Sequence, residues 1–106
     1  MLTEEIIRGV IDRIVQTAHP SKVILFGSYA RGNADEGSDL DLMVIEPQVA
    51  DAGQEMVRLR MAIGSIGTGV DVLVYSEAEF ERRSQVAGTV LYLAKQEGKV
   101  LYDAAA

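Results

Sequence analysis

The chain has 106 residues with 16 acids, 10 bases and no cysteine, which suits one domain of modest core and excludes disulfides and thiolate metal sites. A net charge of −6 leaves no basic stripe for gripping a long nucleic acid, and no apolar run nears the roughly 20 residues that span a bilayer. The opening "MLTEEIIRGV" carries acids where a signal peptide carries bases, so a cytoplasmic protein without a membrane segment is expected.

No repeat, linker or low-complexity stretch divides the chain, and a single domain over residues 1–106 is predicted. Thr3 is placed to cap a first helix, with Glu4 and Glu5 in the first turn, where the helix dipole favours negative charge. Ile6, Ile7, Val10, Ile11, Ile14 and Val15 recur at helical spacing to about Ala18, and Pro20 stops the helix. Lys22 to Phe26 reads as a buried strand. Gly27 turns the chain, a short helix begins near Ser28, and Asn33–Gly37 forms a polar loop. Asp39 to Ile45 reads as a second strand, closed by Pro47.

From about Val49 to Ile63 the apolar spacing is again helical through Met56, Leu59 and Ile63, until "GSIGTG" breaks it. Val70 to Tyr75 reads as a third strand, and Ser76 caps a helix beginning "EAEFERR". Val86 to Glu97 continues helical, Gly98 ends it, and "KVLY" adds a short edge strand. This order predicts an α/β (α+β) fold: a small mixed sheet with helices packed mainly on one face, leaving the other face for chemistry.

Side chains alternate along a strand, so Asp39 and Asp41 share a face while Leu40 and Leu42 turn to the core. Cα atoms about 6.6 Å apart, twice the strand rise, let two carboxylates grip two cations about 3.5–4 Å from each other. Magnesium is the natural guest, being hard, oxygen-seeking and commonly shared between carboxylates and substrate phosphates. A D-x-D pair alone is common on solvated strand faces. Here Gly27 and Ser28 lie upstream, at a strand-to-helix turn that presents backbone N–H groups to an anion. A phosphate cradle on one strand and a metal dyad on the next are the two halves of a nucleoside triphosphate site.

The stretch "GSYARGNADEGSDLDLMVIE" resembles the signature of the DNA polymerase β-like nucleotidyltransferase superfamily, G-S followed at a distance by D-x-D. Within it the chain is most similar to the minimal nucleotidyltransferase branch, with G-S-x-A-R-G and S-D-x-D-L. The resemblance implies the nucleotidyltransferase fold, ATP as substrate, and a third carboxylate on a neighbouring strand. Asp71 in "GVDVLVY" is the candidate, emerging opposite Val70, Val72 and Val74. By this resemblance Asp39, Asp41 and Asp71 are catalytic and hold two magnesium ions, while Gly27 and Ser28 bind the nucleotide.

Minimal proteins of this branch are often antitoxins paired with a HEPN-domain ribonuclease toxin. The resemblance therefore implies transfer of AMP from ATP to a tyrosine of such a partner, which silences it. The chain leaves no room for the helical domain with which larger relatives hold their acceptor. Two alternatives stay open: a non-catalytic antitoxin that neutralises by docking, and the catalytic subunit of a small-molecule nucleotidyltransferase.

Among the remaining residues, Arg31 either touches phosphate or pairs with Asp35 or Glu36. Ser38 shapes the turn before the dyad. His19, the one histidine, reads as a surface residue. Arg58, Arg60, Arg82 and Arg83 read as solvated helix charges, and Tyr92 and Tyr102 as half-buried packing residues.

Overall fold

In the computed structural model, which describes residues 1–106, Thr3 caps helix α1 (Glu4–Ala18) by accepting a hydrogen bond from the Ile6 amide. His19, exposed, closes that helix in the left-handed conformation. Strand β1 (Lys22–Phe26) follows, then the four-residue helix α2 (Ser28–Arg31) and strand β2 (Leu40–Glu46). Helix α3 (Ala52–Ile63) leads to strand β3 (Val70–Ser76), helices α4 (Glu77–Arg83) and α5 (Val90–Glu97), and strand β4 (Lys99–Asp103).

Three element starts differ from the sequence reading, and β2, β3 and β4 each end one residue later than it placed them. β2 begins at Leu40, so Asp39 stands just outside the strand. α3 starts at Ala52 rather than near Val49, because the Asp51 side chain accepts from the Gln54 amide and sets the first turn there. The helical stretch expected from Val86 begins only at Val90. Gly88 sits at φ 92°, and Thr89 caps α5 by accepting from the Tyr92 amide.

The four strands order as β3-β2-β1-β4. β1 runs antiparallel to β2 and to β4, and β2 runs parallel to β3 with α3 as the crossover between them. Alternation then divides the sheet. Leu40, Leu42 and Val44 of β2, with Val70, Val72 and Val74 of β3, face the larger core beneath α1 and α3. Val10, Ile14 and Leu59 fill it from the helix side, and Ala30 of α2 joins the same cluster. Each fully buried Ile or Leu there contributes about 1.5–3 kcal/mol.

Ile24, Phe26, Met43 and Ile45 face the other way and pack against Leu91 and Ala94 of α5. Helices thus lie mainly on one face, while the second is partly covered rather than free. Asp41 and Asp71 belong to this second face, where Asp41 is half-buried and Asp71 exposed. No helix is long and apolar enough to cross a membrane.

Candidate active site

At the end of β1 the chain turns through Gly27, at φ 76° and ψ −157°. That region is essentially restricted to glycine, since a side chain there clashes with its own backbone. There is a second reason for glycine: a Cβ at this position would collide with the Asp41 carboxylate. From Gly27 the chain enters α2, whose Ala30 and Arg31 amides donate to the Gly27 carbonyl at 3.1 and 3.0 Å. Buried Ala30 and the Tyr29 hydroxyl, which accepts from the Leu2 amide at 3.2 Å, anchor this short helix. The G-S turn is thereby held directly against β2, where Phe26 pairs with Asp41.

Across the parallel β2–β3 pair, Asp41 and Asp71 are register partners on one rung. Asp39 lies one residue before the strand, and its carboxylate covers Gly69, where a Cβ would collide with it. The Leu40 amide donates to the Gly69 carbonyl at 2.9 Å and extends the pairing to this point. Two bare glycines therefore make room for the two motif aspartates, Gly27 for Asp41 and Gly69 for Asp39. The approach to Asp39 is fixed by Ser38, whose hydroxyl accepts from the Asp35 amide at 2.9 Å and whose carbonyl accepts from Thr68 Oγ1 at 3.0 Å.

The pKa of Asp41 is raised above the ordinary carboxylate range, first by burial and then by the charge of Asp71 and a hydrogen bond with it. Asp39 adds to the rise, and Arg31 alone acts against it. Arg31 pairs with neither Asp35 nor Glu36; Glu36 instead meets the terminal amine of Met1 at 3.2 Å. The guanidinium of Arg31 thus belongs electrostatically to the aspartates.

No three acidic or histidine side chains close around a single point as a ready metal cage. The structure brings Asp41 and Asp71 together and keeps Asp39 beside them, over Gly69. This donor set fits a hard divalent cation: oxygen-only ligands, mutual repulsion, and one opposing cation for three carboxylates.

The sequence model described as "Nucleotidyltransferase domain" matches residues 5–66, more than half of the chain. The chain belongs to the nucleotidyltransferase domain family. Among curated proteins none matches it. Solved structures share its fold. A protein described as a nucleotidyltransferase from Sulfolobus solfataricus aligns with TM-score 0.64 at 16% identity, over 95% of this chain and 80% of that one. A toxin–antitoxin structure with AMP-PNP aligns with TM-score 0.63 at 24% identity, over 96% of this chain and 74% of its own. Spectinomycin adenyltransferase AAD(9) from Enterococcus faecialis, with ATP and spectinomycin, gives TM-score 0.67 at 19% identity over 97% of this chain. The nucleotidyltransferase chain spans only 57% of that larger protein. At these identities the likeness establishes the fold and leaves the substrate open.

Two residues gain a place that the sequence reading did not assign. Gly69 falls in the helix-breaking run "GSIGTG" and heads "GVDVLVY" without a role in the sequence reading, although a glycine two residues before a strand acid is the available signal. Arg60 stood among solvated helix charges, yet it lines a groove of about 490 Å³ with Asp41, Asp71, Met56 and Val57. Its neighbour Arg58 is engaged elsewhere, with Glu55 at 2.8 and 2.9 Å and the Thr17 carbonyl at 3.0 Å. Arg83 is also paired, with Glu79 at 2.8 Å.

Proposed function

We propose that this nucleotidyltransferase is a magnesium-dependent protein adenylyltransferase. It moves AMP from ATP to a tyrosine hydroxyl of a partner HEPN ribonuclease toxin and so silences it in the cytoplasm. Residues 1–106 act as one minimal domain. The observation that carries the reading is the Asp41–Asp71 rung set against the Gly27–Ser28 turn, with Asp39 alongside. That places a cluster of hard acidic ligands next to a backbone shaped for phosphate. Structural likeness to toxin–antitoxin assemblies supports the choice of a protein acceptor. One was solved with AMP-PNP, and another is the MntA–HpeT pair carrying two aspartate-to-glutamate exchanges, with TM-score 0.59 at 20% identity over 91% of this chain and 71% of that one.

Gly27 and the Ser28 hydroxyl hold the β- and γ-phosphates, and Arg31 adds charge on the same flank. Magnesium, with Asp39, Asp41 and Asp71 as ligands, would supply charge neutralisation on the phosphates and a lowered pKa at the acceptor hydroxyl. The acceptor oxygen forms a bond to the α-phosphorus as the bond from that phosphorus to the bridging oxygen breaks. Pyrophosphate leaves with the electron pair, and the hydroxyl proton passes to the Asp71 carboxylate. Asp71 suits that role because it is exposed and is not enclosed as Asp41 is.

The decisive experiment incubates the protein with α-labelled ATP, magnesium and the product of the neighbouring gene. Label on a partner tyrosine is the expected result. Partner inhibition without label identifies a docking antitoxin. Label appearing only on a small hydroxyl compound identifies the small-molecule enzyme, the activity named for the spectinomycin structure.

A further inference from the structure

The groove that holds Asp41 and Asp71 is asymmetric across the sheet. The strands order as β3-β2-β1-β4, so the turn after β1 lies on the Asp41 side of the rung and Asp71 stands on the far side, on edge strand β3. Beyond β3 the wall is helix α3, which contributes Met56, Val57 and Arg60. Leu59 and Ile63 of the same helix are buried in the core and half-buried Met56 packs against it, so the helix is firmly seated while one flank lines the groove.

Arg60 is exposed and takes part in no ion pair, although two carboxylates share its groove. On a chain of net charge −6 an uncommitted guanidinium lining the same groove as the reactive carboxylates is chemically conspicuous. Val57 is 59% exposed, and Met61, one turn further along α3, is 78% exposed. They continue an apolar strip outward from the groove.

Phosphoryl transfer sets the direction of approach. The attacking and leaving oxygens lie roughly in line through the phosphorus. If pyrophosphate leaves toward Gly27 and Ser28, the acceptor enters from the opposite flank, which is the α3 wall. The chemistry of that wall selects among acceptors. A guanidinium, a thioether and an isopropyl group suit the face and edge of an aromatic ring. They give a sugar hydroxyl no strong acceptor of their own, the groove's carboxylates being Asp41 and Asp71.

We propose that Arg60, Met56 and Val57 form the acceptor wall of the site, with the Arg60 guanidinium seated on the ring that carries the acceptor hydroxyl. The inference rests on the nucleotidyl-transfer reading and names the substrate contact within it. Arg60 is then a substrate-binding residue on the acceptor side and has no part in holding ATP.

The test uses the whole chain, its Arg60→Ala and Arg60→Lys variants, and N-acetyltyrosinamide as acceptor probe. Transfer of labelled AMP is measured against probe concentration, and Mg-AMP-PNP affinity by calorimetry. Arg60→Ala is expected to raise the KM for the probe about 3–30-fold, the range of a guanidinium–ring contact. AMP-PNP affinity and kcat stay within about twofold, consistent with a loss of acceptor binding alone. Arg60→Lys falls between, because it keeps the charge and loses the plane. Weakened AMP-PNP binding would assign the wall to the nucleobase and overturn the inference, as would an unchanged KM. If the wild type transfers to no acceptor, the transfer reading itself fails. The wall is then judged by ligand-observed NMR of the probe on AMP-PNP-loaded protein. Arg60-dependent probe binding there sustains the contact, and its absence removes it.

Discussion

Asp41 and Glu46 stand at opposite ends of β2, and burial is the leading cause of a raised pKa in both. Each also faces a second carboxylate, Asp71 for one and Glu55 for the other. The difference lies in what balances the charge. At the Glu46 end the protein supplies its own answer. Glu46 is 7% exposed, hydrogen-bonds Glu55 and is pushed up to about 7, while Glu55 is held low, chiefly by its bond to Arg58. One proton and one guanidinium offset the charge at that end, although Glu46 Oε2 is buried without a hydrogen-bond partner. At the Asp41 end three aspartates meet the field of Arg31 and no ion pair. An acid pair whose charge is offset from within is architecture, and one left short of positive charge is a place for substrate and cation.

The sharpest break of this comparison is Asp41→Asn. Label transfer should fall to background, with Asp39→Asn behaving alike, because each removes a charged ligand. Stability in EDTA should move the other way. Ionising Asp41 in the folded state is disfavoured by burial and by Asp71, so neutral asparagine relieves a cost and the thermal midpoint should rise by a few degrees. Loss of stability together with activity would make Asp41 a structural acid like Glu46. Retained transfer in magnesium would dispose of the metal site altogether.

A smaller effect is expected at Asp71, which is exposed and which the proposed reaction sets on the acceptor rather than on the nucleotide. Asp71→Asn should reduce transfer about 10²–10⁴-fold, the usual loss for a positioned acid–base group. Mg-ATP affinity by calorimetry should change little. If affinity and transfer fall together, Asp71 holds the nucleotide as much as Asp41 does, and the division of labour on their shared rung is wrong.

The smallest effect belongs to the other end. Glu46 has an ordinary pKa of 4.5 and a folded value of about 7, so the folded state binds the extra proton between those limits. Stability is then fullest at the acid side of this window and declines as pH rises through about 7. Glu55 shifts the opposite way, but its titration lies below the window. Glu46→Gln should flatten the decline in thermal midpoint measured from pH 5 to 8, a matter of a few degrees, and leave label transfer untouched. A pH slope that persists in this variant would place the buried proton elsewhere.

Local signals carried the element order and the motif. Thr3 and Ser76 cap as their sequence context indicates, because a cap is a contact between residues three apart. The alternation of Leu40, Leu42 and Val44 against Asp41 decided which way the acid points before any partner strand was known. Helix starts at Asp51 and Thr89 were misplaced because apolar periodicity runs on past the cap that ends it.

What the sequence by itself determined is the class of chemistry: two acids one residue apart, a G-S turn upstream, and a third acid on a later strand. Only the tertiary structure decided which atoms meet. Parallel pairing of β2 with β3 put Asp41 and Asp71 on one rung, and a slip of one residue would have turned Asp71 into the core. Gly27 against Asp41, Gly69 against Asp39, and Arg60 in one groove with Asp41 and Asp71 are meetings of segments apart in the chain. Spacing along a sequence reports which side of its own strand or helix a residue occupies. The neighbour that fills the space opposite is set by sheet register and helix packing, which depend on the whole core at once.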